Sequence, residues 1–178
     1  MHINSKEAEK QAIANAAFAM CAAIRTAPKA RGIDNLDSAV LFGDDKSRIS
    51  SHMRSIAQSL GDDGEIFARD AANVDTADAL LLVGAQKKTR GLDSLCNECG
   101  YHSCQACESA GATCVFTSID LGIALGSAVS LAADLRIDTR IMYTVGKAAA
   151  ALDILGVFSL VLGISMSVSG KSPFFDRQ

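Results

Sequence analysis

Tryptophan is absent from this 178-residue chain, which has only two tyrosines and two prolines. Proteins that hold single-stranded nucleic acid stack bases on aromatic faces, so the scarcity argues against such a ligand. Basic charge is not in excess either: 17 Lys and Arg stand against 20 Asp and Glu, a formal net charge of −3. Without a basic field, neither a nucleic acid nor an anionic membrane surface is a default partner. The start, Met1-His2-Ile3-Asn4-Ser5-Lys6-Glu7, lacks the apolar run and small-residue cleavage site of a secretory signal, which gives the expectation of a cytoplasmic protein. The longest uncharged stretch, between Asp153 and Lys171, is interrupted by Gly and Ser. It falls just short of the roughly 18 to 20 apolar residues that span a bilayer. No P-loop, G-x-G-x-x-G or Ser-His-Asp pattern occurs, so kinase and hydrolase chemistry have no local support.

What the chain does have is material for a core. Apolar residues make up 49% and charged residues 21%, which excludes general disorder and fits one substantial domain over residues 1–178. Residues 6–26 contain no Gly or Pro, and Ile13, Ala17, Met20 and Ile24 recur at three- and four-residue spacing. This predicts a helix capped by Ser5 and stopped by Pro28. A strand is expected over 38–42, a helix over 46–60 ended by Gly61, a turn over 61–64 and a weak helix over 66–74. The continuous apolar run 79–85 is expected as a strand covered on both faces. A long helix over 115–135 is apolar nearly all round, which predicts burial, part of it in a homodimer interface. A short strand over 140–143, a helix over 145–155 and a last strand over 157–166 complete the reading. The order gives an α+β, three-layer helix/sheet/helix domain. Its strand order is not legible.

Five of the six cysteines crowd into the segment that interrupts this pattern, residues 86–114. The spacing Cys96-x2-Cys99-x4-Cys104-x2-Cys107-x6-Cys114 lets thiolates turn toward one centre, and Gly100 permits a tight turn directly after the first pair. Without an export signal a disulfide framework is disfavoured, so metal or redox chemistry is the better reading. Zinc also uses Cys-x2-Cys pairs, but zinc ribbons separate two pairs by about 15 to 20 residues, and only Gly100 to Ser103 intervene here. Cys21, inside the Ala-rich first helix, reads as a small buried hydrophobe. His102 reads as solvated or as a neighbour that supports the cysteines, and not as a ligand. Asp44-Asp45 and Asp62-Asp63 sit at apparent helix starts or turns, where acids cap rather than catalyse. Asp120, Asp138 and Arg140 suggest an internal ion pair, and no catalytic residue is identified.

Cys-x2-Cys-Gly-x3-Cys with a fourth cysteine farther on resembles the 4Fe-4S modules of corrinoid iron-sulfur proteins. Three further blocks are similar to a bacterial and archaeal family described as containing a ferredoxin-type domain. They are Cys114-Val115-Phe116 through Asp120-Leu121-Gly122 to Ala128, Asp138-Thr139-Arg140-Ile141-Met142-Tyr143, and Ser169-Gly170-Lys171-Ser172-Pro173 to Arg177. The resemblance implies a 4Fe-4S cluster on Cys96, Cys99, Cys104 and Cys114. Cys107 is then a spare thiol, or the fourth ligand in place of Cys114, and zinc is the alternative metal.

Stripped of residues 86–114, the layout resembles nitroreductase-like flavoproteins. That likeness implies FMN at a dimer interface, its phosphate near Arg25, Lys29 and Arg31 around Ala27-Pro28 and near Ser169, Lys171 and Arg177. Those flavoproteins open with an Arg-rich pair or triplet around a Ser, where this chain has Asn4-Ser5-Lys6. The functional expectation is an iron-sulfur electron-transfer protein, or an FMN-dependent oxidoreductase, serving a redox partner protein or a small-molecule electron acceptor. The alternative is a non-enzymatic binding or regulatory module with a metal-stapled loop.

Overall fold

The computed structural model describes residues 2–156, 158 and 160–174. Helix α1 (Ser5–Thr26) is closed at its start by Asn4, not by Ser5. The Asn4 side chain accepts from the Glu7 N–H at 3.0 Å, and Glu7 accepts in return from the Asn4 N–H. This reciprocal pair satisfies two donors a helix start leaves free. After a tight turn come β1 (Leu36–Leu41), α2 (Gly43–Leu60), α3 (Glu65–Thr76) and β2 (Ala79–Ala85). The cysteine segment follows, with α4 (Cys104–Ser109) inside it, and leads into α5 (Val115–Asp134). Strand β3 (Asp138–Met142), helix α6 (Tyr143–Ala151) and β4 (Leu160–Ser167) finish the domain.

The four strands form one antiparallel sheet in the order β1-β2-β4-β3. Strand β2 lies inside it and is buried at every residue. Leu81 and Val83 face a core built with α1 and α5, whereas Leu80 and Leu82 face a second core with α2, α3 and α6. Alternation along a strand sends successive side chains to opposite faces, so a run apolar at every position needs helices on both. The three-layer α+β architecture read from the sequence is the one observed.

The differences have local reasons. Helix α6 starts at Tyr143 and stops at Ala151, because Asp153 takes a left-handed backbone (φ 52°) and ends the run before Gly156. The last strand starts at Leu160; Val157, its expected first residue, lies outside the described residues. Helix α5 is not buried all round. Leu121, Ala124, Leu125, Ala128 and Ala132 face the sheet, while Ile119 and Ile123 remain exposed. By length and composition alone α5 is apolar enough to cross a membrane, and 39% of its most apolar window is buried in the chain.

Candidate functional site

The segment between β2 and α5 folds into three short pieces that each present cysteine. A left-handed Gly100 (φ 78°), whose N–H donates to the Asn97 carbonyl at 3.1 Å, turns the chain directly after Cys96 and Cys99. Ser103 then caps α4 by accepting from the Ala106 N–H at 3.1 Å, which sets Cys104 at the first helical position and Cys107 one turn on. Asp93 accepts from the Cys104 N–H at 3.1 Å, tying the piece before Cys96 to the start of α4. Cys114 is the N-cap of α5, where the unpaired amides of a twenty-residue helix favour negative charge.

All five cysteines line one narrow cleft of about 10 Å³, with Thr89, Arg90, Leu92, Tyr101, Ser103, Val115 and Phe116 as the rest of its wall. The wall carries no carboxylate and no imidazole, and His102 is exposed outside it, as expected. Cys96, Cys99 and Cys104 are half-buried; Cys107 and Cys114 are buried. Burial pushes the Cys107 thiol up, and its hydrogen bond with Cys99 and the nearby Cys114 and Cys104 add to the rise. The fifth thiol is thus inside the cleft with the other four. Cys21 is half-buried against the α1/α5 core, apart from this site.

Of the residues named for an FMN phosphate, Arg25, Lys29 and Arg31 donate to acceptors of their own chain. Arg25 donates to Asp34 at 2.5 Å and lies 3.5 Å from Asp37; the bond with Asp34 holds the guanidinium above its ordinary range. Lys29 donates to the carbonyls of Ile24, Arg25 and Ala27, at 3.4, 2.7 and 2.9 Å. Arg31, itself in a left-handed conformation (φ 56°), donates to the Arg90 and Gly91 carbonyls at 2.6 and 2.9 Å. It therefore ties the exit of α1 to the cysteine segment. The Ser169 hydroxyl donates to the Lys171 carbonyl at 2.5 Å, and Lys171 is exposed. Arg177 lies outside the described residues.

Sequence reasoning missed Arg90. Its partner is Asp120, expected in an internal ion pair with residues near the end of α5, but found instead bonded to the cysteine segment at 2.6 Å. Arg140 lies 3.9 Å from Asp70 on α3, and Asp70 also accepts from the Thr144 hydroxyl at 2.7 Å. Contacts across thirty and seventy residues leave no local pattern to find. Asp44 and Asp45 fall in the first turn of α2 and Asp62 and Asp63 in the turn before α3, the positions expected of them, but neither helix start has a side-chain capping bond.

Comparison with known proteins agrees with this picture. Residues 110–177 match the family described as "Uncharacterized protein containing a ferredoxin domain (DUF2148)". The match holds Cys114 and all three blocks that carried the resemblance. An uncharacterized protein of Archaeoglobus fulgidus is 40% identical over 185 residues, covering 99% of this chain and 98% of its own length. Among solved structures, a nitroreductase with bound FMN from Bacteroides fragilis superposes with a TM-score of 0.59 at 13% identity, over 100% of this chain and 84% of that one. Nitroreductase A from Vibrio parahaemolyticus gives 0.57 at 10% identity over 97% of this chain; the chain spans 62% of the length of that enzyme. At such identity these likenesses establish a nitroreductase-like fold; the chain is of one family with the Archaeoglobus fulgidus protein over its full length, and its residues 110–177 place it in the uncharacterized family described as containing a ferredoxin domain.

Proposed function

We propose that this protein transfers electrons through a 4Fe-4S cluster held by the segment 86–114, with Cys96, Cys99, Cys104 and Cys114 as ligands and Cys107 as a fifth thiol. The observation that carries this reading is the convergence of five cysteines, from a turn and two helix starts, on a cleft whose wall offers no other metal-binding side chain. Iron-sulfur clusters take four thiolates as a rule. Structural zinc accepts the same donors. A cluster is favoured because only Gly100 to Ser103 separate the two Cys-x2-Cys pairs, where zinc ribbons place about 15 to 20 residues between theirs.

When bound, such a cluster exchanges single electrons at a potential set by charge, hydrogen bonds and exposure around it. This chain's part is to supply thiolates, to place the amide end of α5 beside Cys114, and to keep water scarce through Leu92, Val115 and Phe116. FMN fits less well. Arg25, Lys29 and Arg31 all donate to acceptors of their own chain, so a phosphate would have to displace those bonds. The electron acceptor is a partner protein or a small molecule. A homodimer over the uncovered face of α5, where Ile119 and Ile123 stand exposed, belongs to the same proposal.

The test is purification under exclusion of oxygen, followed by iron, acid-labile sulfide and zinc analysis. Iron and sulfide in near-equal amounts, with broad absorbance near about 400 nm that bleaches on reduction, supports the proposal. Colourless, zinc-loaded protein that takes up no iron or sulfide on reconstitution overturns it and leaves a metal-stapled binding module.

A further inference from the structure

Arg90 and Asp120 are each only 1% exposed. Removing a guanidinium and a carboxylate from water carries a desolvation penalty that their mutual attraction seldom outweighs, and apolar residues of similar volume often stabilise a fold at least as well. Stability alone does not account for the pair. Its placement does: Arg90 forms part of the cysteine cleft's wall, and Asp120 does not. The cationic residue of the pair therefore lines the same cleft as the sulfurs, and the anionic residue does not.

Both ends are fixed. Arg90 Nη2 and Nε donate to Asp120 Oδ2 at 2.6 and 3.3 Å, and Nη1 donates to the Lys88 carbonyl. Asp120 Oδ1 accepts from the Ala30 N–H at 3.0 Å, and the Arg90 carbonyl accepts from Arg31 at 2.6 Å. A guanidinium has five N–H donors, so those not used in these three bonds meet no acceptor among the described residues.

The geometry points to Arg90, oriented by Asp120, as a fixed positive charge that raises the reduction potential of a sulfur-ligated centre in the cleft. The inference rests on the cluster reading above. Accepting one electron from an external one-electron donor adds one negative charge to the cleft. A cation held against its wall in a water-poor surrounding stabilises that reduced form more than the oxidised one. The Asp120 carboxylate, which does not line the cleft, opposes this more weakly. Arginine suits the task because it stays charged when buried and its fork holds one orientation.

The experiment is a dye-mediated reductive titration of protein reconstituted with iron and sulfide, using dithionite as reductant and cluster absorbance or electron paramagnetic resonance as the readout. Arg90→Gln is expected to shift the one-electron equilibrium about tenfold toward the oxidised form, equivalent to about 59 mV. Asp120→Asn is expected to shift it the other way. Shifts of opposite sign from two halves of one pair are not produced by loosened packing. The double variant Arg90→Met/Asp120→Leu replaces the pair by apolar volume, and is expected to fold, to bind the same iron and sulfide, and to titrate at a lower potential. Single variants that shift in the same direction, or a double variant with an unaltered potential, overturn the role of Arg90 while the cluster stands. An unmodified chain that takes up neither iron nor sulfide overturns both readings.

Discussion

The Lys29 ammonium donates to the carbonyl of Arg25 at 2.7 Å and to that of Ala27 at 2.9 Å, with its side chain only 5% exposed. The last carbonyls of α1 have no helical partners of their own, and a lysine folded back over them is a C-terminal cap that also complements the helix dipole. A cation so placed holds the turn between α1 and β1. Lys29→Ala is expected to lower stability by about 1.5–3 kcal/mol, the range for hydrogen bonds to a charged group, read from urea unfolding midpoints. If the variant unfolds at the same urea concentration with the same slope, the capping account is wrong and Lys29 is free for a phosphate.

The cysteine series separates ligands from the fifth thiol. Cys99→Ala is expected to lose most iron and sulfide, because it leaves three of the four proposed thiolates. Cys107→Ala is expected to keep most of both. Metal analysis of the two variants after reconstitution under exclusion of oxygen decides the matter. Equal loss in both would make Cys107 a ligand, an outcome its position beside Cys99, Cys104 and Cys114 makes worth testing.

Much of the fold was legible from residues whose neighbours are local. The run 79–85 appeared as a strand with the bounds read from it, and Ile13, Ala17, Met20 and Ile24 all face the core. Gly61 ends α2 with a left-handed backbone. That the five cysteines share one cleft was legible because their spacing lies within one loop. The phosphate residues could not be told apart in the sequence, since Arg25, Lys29 and Arg31 look alike whether they face a ligand or their own backbone. What settles each is a partner elsewhere: Asp34 for Arg25, the end of α1 for Lys29, the Arg90 carbonyl for Arg31. Arg90 itself was invisible, because its burial depends on α5 arriving thirty residues later.

Helix α6 lies against β4 through glycine. A Cβ at Gly146 would stand 1.6 Å from the Val161 carbonyl oxygen, a backbone atom of a paired strand that cannot step aside. Gly146→Ala is expected to destabilise by about 3 kcal/mol, the upper end of the usual range for overpacking, and to lower the thermal midpoint accordingly. Gly170→Ala, where nothing stands within 4 Å, is the control and is expected to unfold like the unmodified chain. Matching midpoints for the two variants would mean that α6 does not lie this close to β4.

Acid is expected to weaken the domain in part through two carboxylates, Asp75 and Asp34. Burial alone would push Asp75 up, but its bond to Arg54 and the charge of Lys46 hold it below the ordinary 3.8. Asp34 is likewise held down, against burial, by Arg25, the Leu36 N–H and Lys29. With the folded values depressed, the unfolded chain takes up protons first as pH falls. The stability these groups contribute is complete above the ordinary value of 3.8 and is lost as pH drops through the lower folded values. Both carboxylates are about two-fifths exposed, so water screens each pair and the individual effects are modest. Denaturant midpoints measured from about pH 6 to about pH 2.5 are expected to stay level and then fall below about pH 4. Asp75→Asn is expected to begin lower at neutral pH and to fall less steeply in acid, since it removes one of the protonating groups. A variant that parallels the unmodified chain over the whole range would show that Asp75 has the same proton affinity folded and unfolded, and that its pairing with Arg54 contributes nothing.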